Sequence, residues 1–333
     1  MSDEPLMGGI SDALHRPVLL HQTLQLLAPE RGGLFVDATL GLGGHTEALL
    51  EAIGDVRVIG VDRDAETLQF AQKRLAKFGA RFQAVHSDFR DITRVVGELG
   101  DERLSGVLAD LGVSSWQLDS PERGFSFRYA ARLDMRMNVS DAEETAAELL
   151  ARLPEDEIAR IIYEYGEEPR SRRIARWIVE RRERGEPIET TIELAELVAR
   201  AVGSRRSKSK SSRRHQTSRA IHPATRTFQA LRIAVNHELE GLDKFIEGAI
   251  DLLQPQGRMC LISFHSLEDR IVKRTLRRLA GQCECDLRRV PICECGARSA
   301  IEILTRRPLT PTEEEMSENP RARSSKLRAC VKI

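Results

Sequence analysis

A chain of 333 residues, 41% hydrophobic and 31% charged, has ordinary globular composition and length for one large domain or two of moderate size. No run of about 18 apolar residues is present and the N-terminus lacks a basic-then-apolar leader, which argues against a membrane span or secretion and for the cytoplasm. Lys plus Arg and Asp plus Glu are equal at 51 each, so any polyanion must be met by a local patch and not by a global field.

In chain order, Leu34–Thr39 (LFVDAT) is a short apolar run stopped by glycines, and it reads as a first strand. Thr46–Ile53 reads as a helix, Val56–Asp62 as a second strand and Ala65–Lys77 as a helix with Leu68, Ala71, Leu75 and Phe78 at 3,4,3 spacing. Arg81–His86 is a weaker strand and Gly106–Leu111 a fourth. Repeated strand–helix units predict a mostly parallel, doubly wound α/β sheet. From about Asp119 the pattern turns helical and charged: Asp141–Leu153, Glu155–Tyr165, Arg170–Arg184 and Glu193–Val202. Ser140 with Glu143 and Thr190 with Glu193 fit capping boxes for the first and last of these. Ser204–Arg219 then carries seven of the ten Lys and Arg residues that separate Glu196 from Glu238. Phe228, Leu231, Val235, Leu239, Leu242, Ile246, Ile250 and Leu253 trace one face of a single long helix, broken by the turn Gln254–Gly257. Met259–Phe264 is the last recognisable strand, and a helix runs through Ile271–Leu279. The reading is a discontinuous core, 1–118 and 225–333, around an inserted helical substrate-recognition domain, 119–224, that ends in the basic loop 204–219.

Asp37, Gly41, Gly43, Gly44 and His45 lie where the first strand turns into a helix, a place where glycines let the backbone approach a ligand. A tight turn alone would also use them. Asp62 ends the next strand 21 residues beyond Gly41, suited to ribose hydroxyls. That geometry serves NAD or S-adenosylmethionine. Thr46 replaces the third glycine of a dinucleotide fingerprint, and Asp37 would repel a pyrophosphate but welcome an ammonium and a sulfonium, so S-adenosylmethionine is favoured. Asp88-Phe89 adds an acid and an aromatic for an adenine.

Asp110 ends the fourth strand at the ligand-binding edge, followed by Ser114 and Ser115 as candidate substrate contacts. An acid there can hydrogen-bond an exocyclic amine and aim its lone pair at a methyl donor; equally it can cap a loop or touch the cofactor.

The string DLGVSSWQLDSPERGFSF (Asp110–Phe127) with LDMRM (Leu133–Met137) resembles the signature of bacterial 16S rRNA N4-cytidine methyltransferases. HRPVLL (His15–Leu20), DATLGLGGHT (Asp37–Thr46), HPATRTFQALRIAVNHEL (His222–Leu239), SFHSLEDRIVK (Ser263–Lys273) and NPRARSSKLR (Asn319–Arg328) extend the resemblance along the chain. It implies a class I methyltransferase fold with an inserted helical domain. It implies methylation of N4 of a cytidine in the decoding region of small-subunit rRNA. It also implies cofactor contacts at Gly43, Gly44, His45, Asp62, Phe89, Asp110 and Gln117. Many amino methyltransferases carry Asn/Asp-Pro-Pro-Tyr where this chain has Asp110-Leu111-Gly112-Val113; Trp116, Phe125 and Phe127 are candidates to stack the base instead.

His265 and Ser266 are expected to line the substrate cleft, with Glu268 and Asp269 complementing a helix dipole, since no nucleophile elbow surrounds them. Arg226 and Arg232, downstream of the basic loop, favour phosphate contacts, against a merely solvated linker. Cys283, Cys285, Cys293 and Cys295 form CxC-x7-CxC, more in keeping with free thiols than with a zinc site. Asn319–Arg328 is either a basic tail returning to the site or a frayed terminus. The partner implied is 16S rRNA within the small subunit, with no membrane; a homodimer stays open. A non-catalytic RNA-binding assembly factor and a DNA amino-methyltransferase are the competing readings.

Overall fold

The structure is a computed structural model that describes residues 17–52, 55–100, 103–139, 143–203, 222–283 and 298–333. The chain forms two compact units: Val113–Leu239, and the residues through Gly112 joined with Glu240–Ile333.

The discontinuous unit is built on a seven-stranded sheet. Its strands are β1 (Gly33–Asp37), β2 (Val56–Asp62), β3 (Phe82–His86), β4 (Leu104–Asp110), β5 (Leu253–Ser263), β6 (Ile301–Ile303) and β7 (Lys326–Lys332). Their order is β3-β2-β1-β4-β5-β7-β6. The first five are parallel, and β7 runs antiparallel to both β5 and β6. Alternation of side chains along a strand divides the core into two layers. Leu34, Val36, Ile59, Val107, Met259 and Leu261 meet the helices Ile92–Glu98, Leu242–Leu252 and Ser266–Leu279 on one face. Phe35, Val58, Leu108, Cys260 and Ile262 meet Leu20–Leu27, Gly44–Ala52 and Ala65–Leu75 on the other. Strands buried on both faces explain the near-continuous apolar runs seen in sequence. The expected doubly wound α/β sheet is present, with one antiparallel strand added.

The second unit is helical. Helices Ala146–Arg152, Glu155–Glu164, Ser171–Glu183, Thr191–Val202 and Thr225–Asn236 bury Leu150, Ile158, Ile162, Ile174, Ile178, Leu194, Val198, Phe228 and Leu231 in one cluster. Thr190 and Glu193 form the expected capping box. The first helix begins later than Asp141, at Ala146, capped by the reciprocal pair Thr145 and Glu148; Ser140 lies outside the described residues.

Several other boundaries move. The single long helix is two, Thr225–Asn236 and Leu242–Leu252, because His237 and Gly241 both take left-handed backbone conformations (φ 51° and 69°). The unit boundaries fall at 112/113 and 239/240 where 118/119 and 224/225 were expected. Val113 and Leu118 pack with the helical cluster, and so do Phe228, Leu231 and Val235 of the helix that the sequence assigned to the core. Met259–Phe264 is not the last strand. The Asn319–Arg328 segment is neither a frayed end nor a tail: it forms the turn Pro320–Ser324 and then enters β7, which pairs on both sides.

Candidate functional site

Three carboxylates stand at the carboxyl ends of three parallel strands: Asp37 on β1, Asp62 on β2 and Asp110 on β4. That edge is where open α/β sheets bind ligands. Asp37 is 1% exposed; its Oδ2 accepts the Thr46 hydroxyl at 2.7 Å and its Oδ1 the Thr39 backbone N–H at 3.3 Å. Thr46, which stands where a dinucleotide loop has a third glycine, is therefore the side-chain partner of the buried acid. Asp62 Oδ2 accepts the Gly41 N–H at 2.7 Å and Oδ1 the Asp64 N–H at 2.9 Å, so it ties down the glycine loop. Burial raises the carboxyls of Asp37 and Asp62 to about 6 despite these hydrogen bonds.

The loop geometry needs its glycines for two different reasons. Gly43 has φ 79°, and a Cβ there would lie 2.9 Å from Leu75 Cδ1, so this position is closed by the packed helix Ala65–Leu75. Gly41 has φ 51°, and a Cβ there would meet nothing nearer than the Thr39 carbonyl at 4.0 Å, which leaves open space above it. Gly44 begins the helix Gly44–Ala52.

Asp110 is the most perturbed of the three. Its backbone N–H donates to Thr39 Oγ1 at 2.6 Å, which links β4 to the loop. Its side chain keeps 24% of its surface exposed, while Oδ1 is buried with no hydrogen-bond partner. Burial, then the neighbouring Asp37 and Glu268 charges, push its carboxyl well above the usual range. His45 is buried, with Nε2 3.0 Å from the Val18 carbonyl and Nδ1 3.8 Å from Asp110 Oδ2. The first contact places the Nε2 proton on that carbonyl and turns Nδ1 toward the acid. Among the described residues, no Lys or Arg forms a salt bridge to Asp37, Asp62 or Asp110. Buried carboxylates with no salt-bridged cation, only Asp62 feeling a nearby positive charge (Arg63), disfavour an anionic ligand and favour a cationic one. The ammonium and sulfonium of S-adenosylmethionine fit this edge, and a pyrophosphate does not.

Phe89 opens the short turn Phe89–Asp91, and its ring stands edge-on to Phe245 with centroids 4.9 Å apart. Asp88 caps that turn; burial opposes its charge, but the paired Arg90 guanidinium at 2.6 and 2.7 Å holds its carboxyl below the ordinary value. His265 caps the helix Ser266–Leu279, its Nδ1 accepting the Glu268 N–H at 3.4 Å and its Nε2 3.1 Å from Glu268 Oε1. Only 6% of its side chain is exposed, so its visible work is to fix the helix start beside the site. Ser266 is the half-buried first residue of that helix. Asp269 is held by Arg328 at 2.7 Å and Lys326 at 3.2 Å.

The helical unit carries the remaining candidates. Ser114 and Gln117 form a capping box: Ser114 Oγ accepts the Gln117 N–H at 3.2 Å, and Gln117 Oε1 accepts the Ser114 N–H at 3.0 Å. Gln117 is buried and Ser115 is the half-buried first residue of Ser115–Asp119. The LDMRM segment is a clamp. Met135 is buried with φ 66°, and Asn236 accepts the Met137 N–H at 2.7 Å while donating to the Met135 carbonyl at 2.8 Å. Arg123 adds a bond to the Met137 carbonyl at 2.5 Å. Phe125 is 7% exposed within the helical core, which removes it as a base-stacking candidate. Phe127 packs on His222 and Phe228 with centroids 4.6 and 4.9 Å apart, and Trp116 is half-buried. Arg226 is exposed, donating to the Glu167 carbonyl at 3.3 Å, whereas Arg232 is locked by both oxygens of Glu238 at 2.8 Å. The basic loop 204–219 lies outside the described residues. So do Cys285, Cys293 and Cys295, while Cys283 is exposed. Sequence reasoning missed Thr39, Thr46 and Val18 as supports of the acidic edge.

The comparisons with known proteins agree with this geometry. A family model described as the MraW methylase family matches residues 12–333. A protein named Ribosomal RNA small subunit methyltransferase H from Carboxydothermus hydrogenoformans is 48% identical over 319 residues, covering 96% of this chain and 98% of the relative. One of the same name from Geobacter sulfurreducens is 50% identical over 320 residues, covering 96% and 99%. A solved rRNA methylase from Streptococcus thermophilus aligns over 96% of this chain and 98% of that one, at 12% identity and a TM-score of 0.39, too distant to add to the argument. With nearly its whole length matched by one family model, this chain belongs to the MraW methylase family.

Proposed function

We propose that the protein methylates the N4 amino group of a cytidine in 16S rRNA of the small ribosomal subunit, using S-adenosylmethionine, in the cytoplasm. The observation that carries this reading is the row of buried acids Asp37, Asp62 and Asp110 without a salt-bridged cation, in a chain of a methylase family. When bound, S-adenosylmethionine supplies an electrophilic methyl group on a sulfonium. The chain's own contribution is placement and electrostatics. Asp62 holds Gly41 and keeps lone pairs for ribose hydroxyls; Gly43, Gly44 and His45 shape the loop; Phe89 offers an aromatic edge to an adenine. Asp37 and Asp110 favour positive charge at the strand ends.

Asp110 Oδ1 is a buried acceptor with no protein donor, which suits it to accept an N–H of the target amine. That hydrogen bond draws the amine lone pair out of conjugation and gives the departing proton a nearby acceptor. Gln117, Ser114 and Ser115 in the helical unit, with Arg226, His265 and Ser266, are assigned to cofactor and substrate contacts in this reading. A structured target must be unstacked at a cost of about a few kcal/mol, so the assembled subunit is the expected substrate. The test is labelled-methyl transfer to small subunits from cells lacking this protein, beside protein-free 16S transcript. N4-methylcytidine in subunits and little in transcript is expected. No incorporation into subunits, with the cofactor bound, would transfer the assignment to a non-catalytic assembly factor.

A further inference from the structure

His45 is the second residue of the helix Gly44–Ala52, and it is buried. Its Nε2 lies 3.0 Å from the Val18 carbonyl, which can only accept, so Nε2 carries the proton and Nδ1 keeps a lone pair. Nδ1 stands 3.8 Å from Asp110 Oδ2, just beyond hydrogen-bond reach. The turn that supplies the Val18 carbonyl is strained. Leu19 is a buried non-glycine residue at φ 53° and ψ 33°, a left-handed conformation that leucine adopts only where its surroundings impose it. Two things impose it here. Leu19 packs in the apolar cluster that holds Leu27, Leu49 and Leu50, and its N–H donates to Glu315 Oε1 at 2.7 Å. Glu315 is set in turn by Thr312, whose hydroxyl accepts the Glu315 N–H at 3.2 Å.

A buried histidine that served only to pin this turn would need one ring nitrogen. The second faces Asp110, where a ring lone pair and an ionised carboxylate oxygen, both acceptors, repel. One proton between Oδ2 and Nδ1 converts that repulsion into a hydrogen bond. Methyl transfer to an amine produces such a proton. As the C–S bond of the methyl donor breaks, its electron pair stays on sulfur; the N4 lone pair forms the new C–N bond, and the nitrogen then sheds one hydrogen as a proton. Asp110 is placed to take it, because Oδ1 is a buried acceptor with no hydrogen-bond partner. Burial, then the charges of Asp37 and Glu268 that also face this carboxyl, already favour its protonated form.

We propose that His45 is a positioning residue for Asp110: its Nδ1 receives the carboxyl O–H formed when the target amine releases its proton, and the Val18–Leu19 turn, latched by Glu315, holds the ring for that contact. This rests on the methyltransferase reading above and extends it to what stabilises the product side of the step. The carboxylate takes the proton on the oxygen nearest the amine, then turns about Cβ–Cγ to present the O–H to Nδ1. The methylated amine, the thioether sulfur, the carboxyl and the ring are all left without charge, and the proton later leaves to water.

The experiment follows the Asp110 carboxyl by carbon NMR across pH in the cofactor-free protein, its signal assigned by its loss in Asp110→Asn. Beside it, single-turnover methyl transfer to small subunits from cells lacking this protein is measured over the same pH range at saturating cofactor. His45→Gln keeps a donor for the Val18 carbonyl and removes Nδ1. The carboxyl then lacks the acceptor that favours its protonated form, so its NMR midpoint and the acid limb of the rate should both move to lower pH. The rate at pH 7.5 should fall about tenfold or more. Glu315→Ala frees the strained turn and should move both midpoints the same way, and Glu315→Gln, which keeps an oxygen for the Leu19 N–H, should restore them. Unchanged midpoints in a folded His45→Gln protein would overturn the proposal, even with a rate lowered at every pH, which is what a purely structural histidine predicts. If His45→Gln does not fold, the Glu315 pair decides, and equal midpoints in Glu315→Ala and Glu315→Gln overturn it. A wild type that transfers no methyl group, while its Asp110 midpoint still falls in the variants, would keep the His45–Asp110 pair and sink the methyltransferase reading.

Discussion

Asp37 and Asp62 show how burial at a strand end becomes a ligand preference. Each has its carboxyl raised to about 6 by burial, so the ligand-free folded protein holds these protons more tightly than the unfolded chain does. The sign follows: their contribution favours folding at pH 4 and is lost as pH rises through about 6, leveling above it. A cationic ligand reverses the preference, because it stabilises the ionised acids. Cofactor affinity should therefore fall as pH drops from 7.5 to 5, approaching about tenfold per pH unit for each acid that must ionise. Calorimetric titration in two buffers of different ionisation enthalpy should show protons released on binding at pH 6; proton uptake would contradict the assignment. The acids and glycines were legible in the sequence, since both follow apolar runs at a strand end. Thr39 and Thr46, which hold Asp110 and Asp37, were not, because a threonine hydroxyl gives no periodic signal.

At the scale of elements, the two signature-like segments prove to be one clamp. Asn236 is the last residue of its helix, 1% exposed, and bonds to both sides of Met135–Met137. Replacing it by Ala strands the buried Met137 N–H and Met135 carbonyl, and should cost about 2–3 kcal/mol by denaturant unfolding. A cost below about 0.5 kcal/mol would show that the clamp is dispensable. Gly43→Ala should cost about 1–3 kcal/mol, from its left-handed backbone and the approach to Leu75. The same scale explains what sequence patterns concealed. The apolar stripe from Phe228 to Leu253 keeps its period across the break, because the two helices it covers are separated by only five residues, His237–Gly241. Periodicity registers faces, not backbone continuity; Gly241 was the available sign.

Over the whole molecule, β7 carries the largest difference between sequence and structure. The run KLRACVK intersperses Lys326, Arg328 and Lys332 among apolar residues, so it reads as a charged tail. In the fold, Asp269 takes up the first two cations and the remaining side chains fill both core layers, with Leu327 and Ala329 on one face and Cys330 on the other. Long-range charge pairing is invisible to local pattern. β7 bonds to strands on both sides, so backbone amides of Leu327–Val331 should exchange with solvent about as slowly as those of β4. Rapid exchange there would restore the frayed-terminus reading. No helix among the described residues is long and apolar enough to cross a membrane.

The central claim is that the Asp110 carboxylate at the end of β4 serves methyl transfer to an amine. The most direct test is single-turnover transfer of a labelled methyl group to small subunits by the Asp110→Asn protein, with Cys283→Ser as a control and cofactor binding measured on both. Loss of a preorganised electrostatic group should slow transfer by about 10²-fold or more in Asp110→Asn while Cys283→Ser keeps the wild-type rate. An Asp110→Asn protein that binds cofactor and forms N4-methylcytidine at the wild-type rate would contradict the account.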